Sequence, residues 1–327
     1  MPNLPRLRRP RGQGEAPPPV PEVPNAETVE AHGLRWINIP RPRPVDRAWL
    51  EEHYDFHPLD YEDVFSRNQR PKIDEYDEYL FIVLHFAKYD KQVGRLNAAE
   101  LDIFVGSDFV ITLPNDDLQP LDYLFERART REDLRDQLFA KGPGFLLYKI
   151  VDDSVDASFP MLRKVGNKLE RLEDEIFEGR AEDIVRDLSN AKQEIINFRK
   201  IVRPQRTVLR DLERTKQKVF AEELDVYFDD IVDASERIWD MLENFKEVVE
   251  GLESTNESVI SHRVNDILRV LTAISVVVLP LTLVASIWGM NVKVPWEDQV
   301  EGFVVVVVAM VLMLCGMLAY FRHRRWL

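Results

Sequence analysis

The sequence predicts an α+β/α membrane protein, with an N-terminal cytoplasmic α/β domain and a long stalk helix that continues into the first of two C-terminal transmembrane helices. Three observations predict it. No residue between Arg269 and Lys293 is charged, and Phe303 to Phe321 forms a second apolar run. Each has roughly the 20 residues that a helix needs to cross a bilayer core. Between Pro204 and Pro280 there is no proline and the one glycine is Gly251, so nothing interrupts a helix that starts near Leu224 and enters the first run. At about 1.5 Å per residue such a helix is on the order of 90 Å long and must pack along partners.

In chain order, residues 1–33 read as a disordered proline-rich head: arginines are present, but no apolar run follows them to make a secretory signal. Residues 34–143 form the α/β domain. "YLFIVLHFAKY" (Tyr79 to Tyr89) is a buried strand, and "ELDIFVGSDFVITLPN" is two strands joined at Gly106, Ser107 and Asp108. "PLDYEDVFSR" and "PLDYLFERARTREDLRDQLF" are helical. Residues 144–223 read as a helical hairpin with Gly179 as a stop and Pro204 kinking or ending its second arm. The stalk follows over 224–268, the first span over 269–290, an outer loop over 291–302, the second span over 303–321 and a basic tail over 322–327.

Charge narrows the function. A net charge of −14 excludes nucleic acid as a partner and suits cations. The single cysteine, Cys315, builds neither a disulfide framework nor a thiolate site, and the six histidines have no ligand spacing. With no nucleophile motif and no Walker sequence, the chain reads as neither an enzyme nor a user of an organic cofactor. Arg322, Arg324 and Arg325 follow the second span, whereas the loop sets Lys293 against Glu297, Asp298 and Glu301; both termini therefore belong in the cytoplasm, in an inner (plasma) membrane.

The stalk has two stripes. Ile231, Ile238, Leu242, Phe245, Val249 and Leu252 make an apolar one for packing. Glu236, Asp240, Glu243, Glu247, Glu250 and Glu257 make an acidic one, with Arg237 and Lys246 as the only bases near in sequence. The first span carries a polar line, Asn265, Thr272, Ser275, Thr282 and Ser286, with Leu268 and Leu279 at the same helical spacing. Several copies with this face inward would enclose a neutral pore. Magnesium sheds its water reluctantly, so amide and hydroxyl oxygens that accept hydrogen bonds from the bound waters suit it better than carboxylates. Asn291, just beyond the span, would add a ring of amide oxygens at the mouth.

Gly289, Met290 and Asn291 lie after "NDILRVLTAIS" and "PLTLVASIW" and before a short loop, a second span and a tail ending in "RRWL". Together with "HPLDYEDV", "RPKIDEYDEYLFIVL" and "ELDIFVGSDFVITL", this arrangement resembles the CorA family of magnesium channels over most of the chain after about residue 30. The resemblance implies a funnel-shaped homopentamer in the lipid bilayer that carries Mg2+, with Co2+ and Ni2+ as further cargo. It implies a selectivity filter of Gly289, Met290 and Asn291, and a pore lined by Asn265, Leu268, Leu271, Leu279 and Thr282. It also implies that Asp90 and Asp230 bind regulatory cytosolic Mg2+ between subunits. Val292 and "VPWED" depart from the family's aromatic residue and Met-Pro-Glu, which leaves Glu297, with Asp298 beside it, as the loop acid that would attract cations. The membrane potential would drive entry, since each charge crossing about 100 mV is worth about 2.3 kcal/mol. Two other readings compete: a zinc transporter on the same scaffold, and a membrane-anchored sensor or scaffold.

Overall fold

The computed structural model describes residues 23–66, 69–90, 95–178, 184–214, 224–290 and 300–324. The described chain divides into two compact units, one from residues 1–162 and 197–241, the other from 163–196 and 242–327.

The first unit is built on a mixed sheet of six strands: β1 (Glu27–Ala31), β2 (Leu34–Asn38), β3 (Lys72–Glu75), β4 (Tyr79–Asp90), β5 (Arg95–Gly106) and β6 (Phe109–Pro114). Their spatial order is β1-β2-β6-β5-β4-β3, and all pairs are antiparallel except β2 with β6. β1 is a correction to the sequence reading, which put Glu27–Ala31 in a disordered head. The missed signal is His32-Gly33: both have positive φ, 51° and 76°, the backbone of a two-residue hairpin turn that matches strand twist. β5 joins β6 through the expected turn at Ser107 and Asp108, and β4 pairs along the other edge of β5.

Helices cover both faces of the sheet, which is why β4 is buried from Tyr79 to Leu84 without alternation. One face packs against α1 (Pro44–His53) and α2 (Pro58–Phe65): Leu50, Phe56, Tyr61 and Val64 join Phe81, Phe104, Ile111 and Leu113 in one cluster. Phe56 stacks on Phe104 with centroids 4.1 Å apart. His57 caps α2 through its side chain, and Pro58 supplies a preset first-turn φ. In the first turn of α2, fully buried Asp60 accepts hydrogen bonds from the hydroxyls of Tyr76 (3.0 Å) and Tyr79 (2.8 Å). The opposite face meets α3 (Gln119–Thr130), α4 (Glu132–Phe139) and α5 (Pro143–Asp156), with Trp36 of β2 edge-on to Phe125 of α3 at 4.9 Å.

The remaining helices are α6 (Ser158–Phe177), α7 (Val185–Arg214), α8 (Asp225–Trp288) and α9 (Val300–His323). α6 ends at Phe177; Gly179 lies outside the described residues. Pro204 does not end α7, which continues to Arg214. In the first unit, α7 and α8 meet at Trp239, whose ring lies under the guanidinium groups of Arg199 (5.1 Å) and Arg206 (4.8 Å). In the second, Gly166 of α6 lets Phe245 of α8 approach so closely that an added Cβ would sit 3.3 Å from the ring. Lys168 pairs with Glu194 at 3.4 Å and Lys192 with Glu253 at 2.6 Å.

α8 spans 64 residues without a break at the expected boundary of stalk and first span. Its apolar stripe is buried as expected at Ile231, Ile238, Leu242, Val249 and Leu252. The acidic stripe needs correcting at Glu236. Arg206 and Arg210 of α7 both pair with Glu236, bases distant in sequence that tertiary packing brings alongside.

Two outcomes follow from this packing. Phe104→Ala is expected to lower unfolding stability by about 3–5 kcal/mol, measured by chemical denaturation of the full chain in detergent. Burial alone would push the Glu236 carboxyl up, but hydrogen bonds from Arg206 and Arg210 hold it below its ordinary value of 4.5. That stabilisation is therefore present above the ordinary value and lost as pH falls through the lower folded one. Glu236→Gln should cost under about 1 kcal/mol at pH 7, because the pair is partly solvated, and flatten the acid side of the stability profile.

Candidate functional site

The C-terminal half of α8 has two opposite faces. Ala273 and Val277 are buried against Phe321 of α9, with Leu281, Leu314 and Met317 packed around them. At 3.6 residues per turn, the line Asn265, Leu268, Thr272, Ser275, Leu279, Thr282 and Ser286 falls about 180° away. All seven side chains, and that of Leu271, are exposed in the single chain. The two helices therefore pack so that α9 covers none of the polar line.

The hydroxyls are already engaged in a way that sets their outward chemistry. Thr272 Oγ1 donates to the carbonyl of Leu268 at 2.7 Å, and Ser275 Oγ to that of Leu271 at 2.9 Å. Thr282 Oγ1 lies 3.0 Å from the carbonyl of Val278 and 2.8 Å from that of Leu279. Each proton is spent on the helix's own backbone, so what remains outward is an oxygen lone pair. An uncharged line of acceptors results, with the apolar side chains of Leu268, Leu271 and Leu279 between them. Pro280 lies inside the helix and deprives the carbonyl of Val276 of its usual amide partner.

α8 ends at Trp288. The amide of Gly289 donates to Ala285 O at 3.0 Å and that of Met290 to Ile287 O at 3.4 Å, closing the last turn. A Cβ on Gly289 would lie 3.2 Å from Ala285 O, which favours glycine in this turn. Asn291, Glu297 and Asp298 lie outside the described residues. α9 begins at Val300 and runs to His323, extending the second expected span at both ends. It and the C-terminal part of α8 are long and apolar enough to cross a membrane.

In the first unit, Asp230 is exposed on α8 and lines a shallow concave surface with Asp233, Glu236, Arg237 and Asp240. Asp90, half-buried at the end of β4, is not among the residues lining that surface. Among the described residues no group of three or more Asp, Glu, His or Cys side chains is placed to hold a metal within one chain. The structure adds acids that the sequence reading passed over. Burial, then Asp152, then Asp153 and Asp230, raise the Asp156 carboxyl above its ordinary range, with Lys149 opposing. Lys149 pairs with Asp152 at 2.9 Å and Asp153 at 2.7 Å. Tyr148 beside them is pushed up to about 12 by burial first, then by Asp152 and Asp230. The signal was the run "DDSVD" (Asp152 to Asp156), whose first and last acids share a helix face.

Comparison with known proteins fits this geometry. The family model described as CorA-like Mg2+ transporter protein matches residues 31–324. The cobalt/magnesium transport protein CorA of Thermotoga maritima is 31% identical over 294 residues, covering 89% of this chain and 83% of that one. The complete structure of the CorA magnesium transporter from Methanocaldococcus jannaschii shares the fold with a TM-score of 0.79 at 20% identity, over 91% of this chain and 93% of that one. The ZntB cytoplasmic domain from Vibrio parahaemolyticus has a TM-score of 0.60 at 13% identity, over 70% of this chain and 88% of that one. With the match running through the sheet, the long helix and both apolar helices, the chain belongs to the CorA-like Mg2+ transporter family, whose members are membrane transporters rather than enzymes.

Proposed function

We propose that the chain forms a homopentameric channel in the inner membrane that admits hydrated Mg2+, with Co2+ and Ni2+ as secondary cargo, down the membrane potential. The observation that carries this reading is the acceptor line on the face of α8 opposite α9. Facing lipid, these oxygens would lie in a medium that offers them nothing. Arranged about a common axis they accept hydrogen bonds from the waters of an ion that keeps its shell. Asn291 completes the filter with Gly289 and Met290, Glu297 and Asp298 raise the cation concentration at the mouth, and both termini face the cytoplasm.

Closure is assigned to cytosolic Mg2+ held between subunits by Asp90 and Asp230. The support is electrostatic. Asp230 acts on Tyr148 and Asp156 beside the carboxylates of Asp152 and Asp153, where Lys149 is the cation between them. A dication bound there offsets repulsion in the closed form, and its departure favours the open one. Zinc transport is a second reading, favoured by the fold shared with the ZntB cytoplasmic domain.

Uptake into proteoliposomes under an inside-negative potential tests the proposal, with Mg2+, Co2+ and Zn2+ in competition; zinc uptake unaffected by excess Mg2+ would replace the first reading with the second. Asn291→Ala is expected to reduce Mg2+ flux at least about tenfold, the effect of 1.4 kcal/mol. Thr282→Val keeps the volume but removes the acceptor, and should reduce flux about fivefold, as loss of about 1 kcal/mol would, while Thr282→Ser restores it. Asp230→Lys should leave currents that persist at raised internal Mg2+; unchanged inhibition would remove Asp230 from the account of closure.

A further inference from the structure

The sheet holds one carboxyl where its neighbours are apolar. Asp102, mid-strand in β5, is fully buried, and its register partners are Val83 of β4 and Leu113 of β6. Among the described residues its Oδ1 has no hydrogen-bond partner, and Oδ2 lies 3.4 Å from the Asn115 amide nitrogen. The same nitrogen donates at 2.5 Å to Oε1 of Glu100, two residues back on the same sheet face and itself buried. Two carboxylates sharing one side-chain amide in an apolar layer cannot both stay charged without a large desolvation and repulsion cost.

The surrounding charges of the described residues do not relieve this. On β5, Glu100 takes the backbone N–H of Gln69 at 3.0 Å. On β4, the Nε2 atom of His85 lies 3.4 Å from Glu100 Oε2. From α2 comes the further negative charge of Asp63, and from β3 the cation Lys72. Lys72 is already paired with Asp63 at 2.6 Å and with Asp74. Burial, then Glu100 and Asp63, push the Asp102 carboxyl well above its ordinary range, with Lys72 opposing weakly as the last cause.

We propose that Asp102 keeps its proton at neutral pH, and that loss of this proton at alkaline pH loosens α2 and the Asn115 turn from β5, making the α/β domain proton-sensitive. The site lies within the sheet of the first unit. It lies next to the attachment of the sheet to α7, where the backbone N–H of His85 donates to Gln205 Oε1 at 2.9 Å. A folded value raised above the unfolded one gives stabilisation that is complete below the ordinary carboxyl range and lost as pH rises through the folded value.

The test uses the full chain in detergent. Wild type should show a protonated-carboxyl infrared band at pH 7 that Asp102→Asn lacks. Its melting midpoint should fall by at least about 3 °C between pH 6 and pH 9, and the fall should be less than half as large in Asp102→Asn. Glu100→Gln removes the like charge, so the fall should end at a lower pH than in wild type. No band assignable to Asp102, or parallel melting profiles for wild type and Asp102→Asn, would overturn the proposal. Should Asp102→Asn fail to fold, an unshifted profile in Glu100→Gln would overturn it instead.

Discussion

A single helix of 64 residues, Asp225–Trp288, cannot be held straight and in place by its own backbone bonds, and much of the molecule serves to give it side walls. Within the first unit Tyr227 and Phe228 pack on Tyr148 of α5, and Trp239 is gripped by two arginines of α7. Within the second unit Phe245 closes on Gly166, and Ala273 and Val277 then meet α9.

At the membrane end the same requirement has a complementary result. A small-residue face satisfies α9, and that leaves the other face uncovered in one chain. Intrahelical bonding of serine and threonine is the ordinary behaviour of these residues in apolar helices, and it does not compete with a role in permeation. Donating inward is what leaves Thr272, Ser275 and Thr282 with acceptors outward.

Three acids of the first unit show how differently a carboxylate can be accommodated. Asp60 sits under two tyrosine hydroxyls, and the cost appears on the partners: Tyr76 is pushed up to about 12, by burial first and then by Asp60. Glu236 is held by two arginines. Asp102 has neither arrangement, and its orphaned oxygen singles it out.

The amino-acid sequence alone made the two apolar spans, the uninterrupted α8, the strands β4 to β6, the polar line and the Gly-Met-Asn motif legible, because each is a local pattern of period, charge or breaker. It left β1, β2 and β3 unread, since short strands depend on pairing partners: Glu27–Ala31 lies beside a proline-rich head, and only its pairing with Leu34–Asn38 through the His32-Gly33 turn makes it a strand. It likewise missed Arg206 and Arg210 beside Glu236 and the α5 acids near Asp230. Tertiary structure alone decided which face of α8 meets α9, and so which oxygens stay uncovered. The physical reason is that helical periodicity fixes which residues share a face, but only the competition of partners for buried area fixes what each face touches.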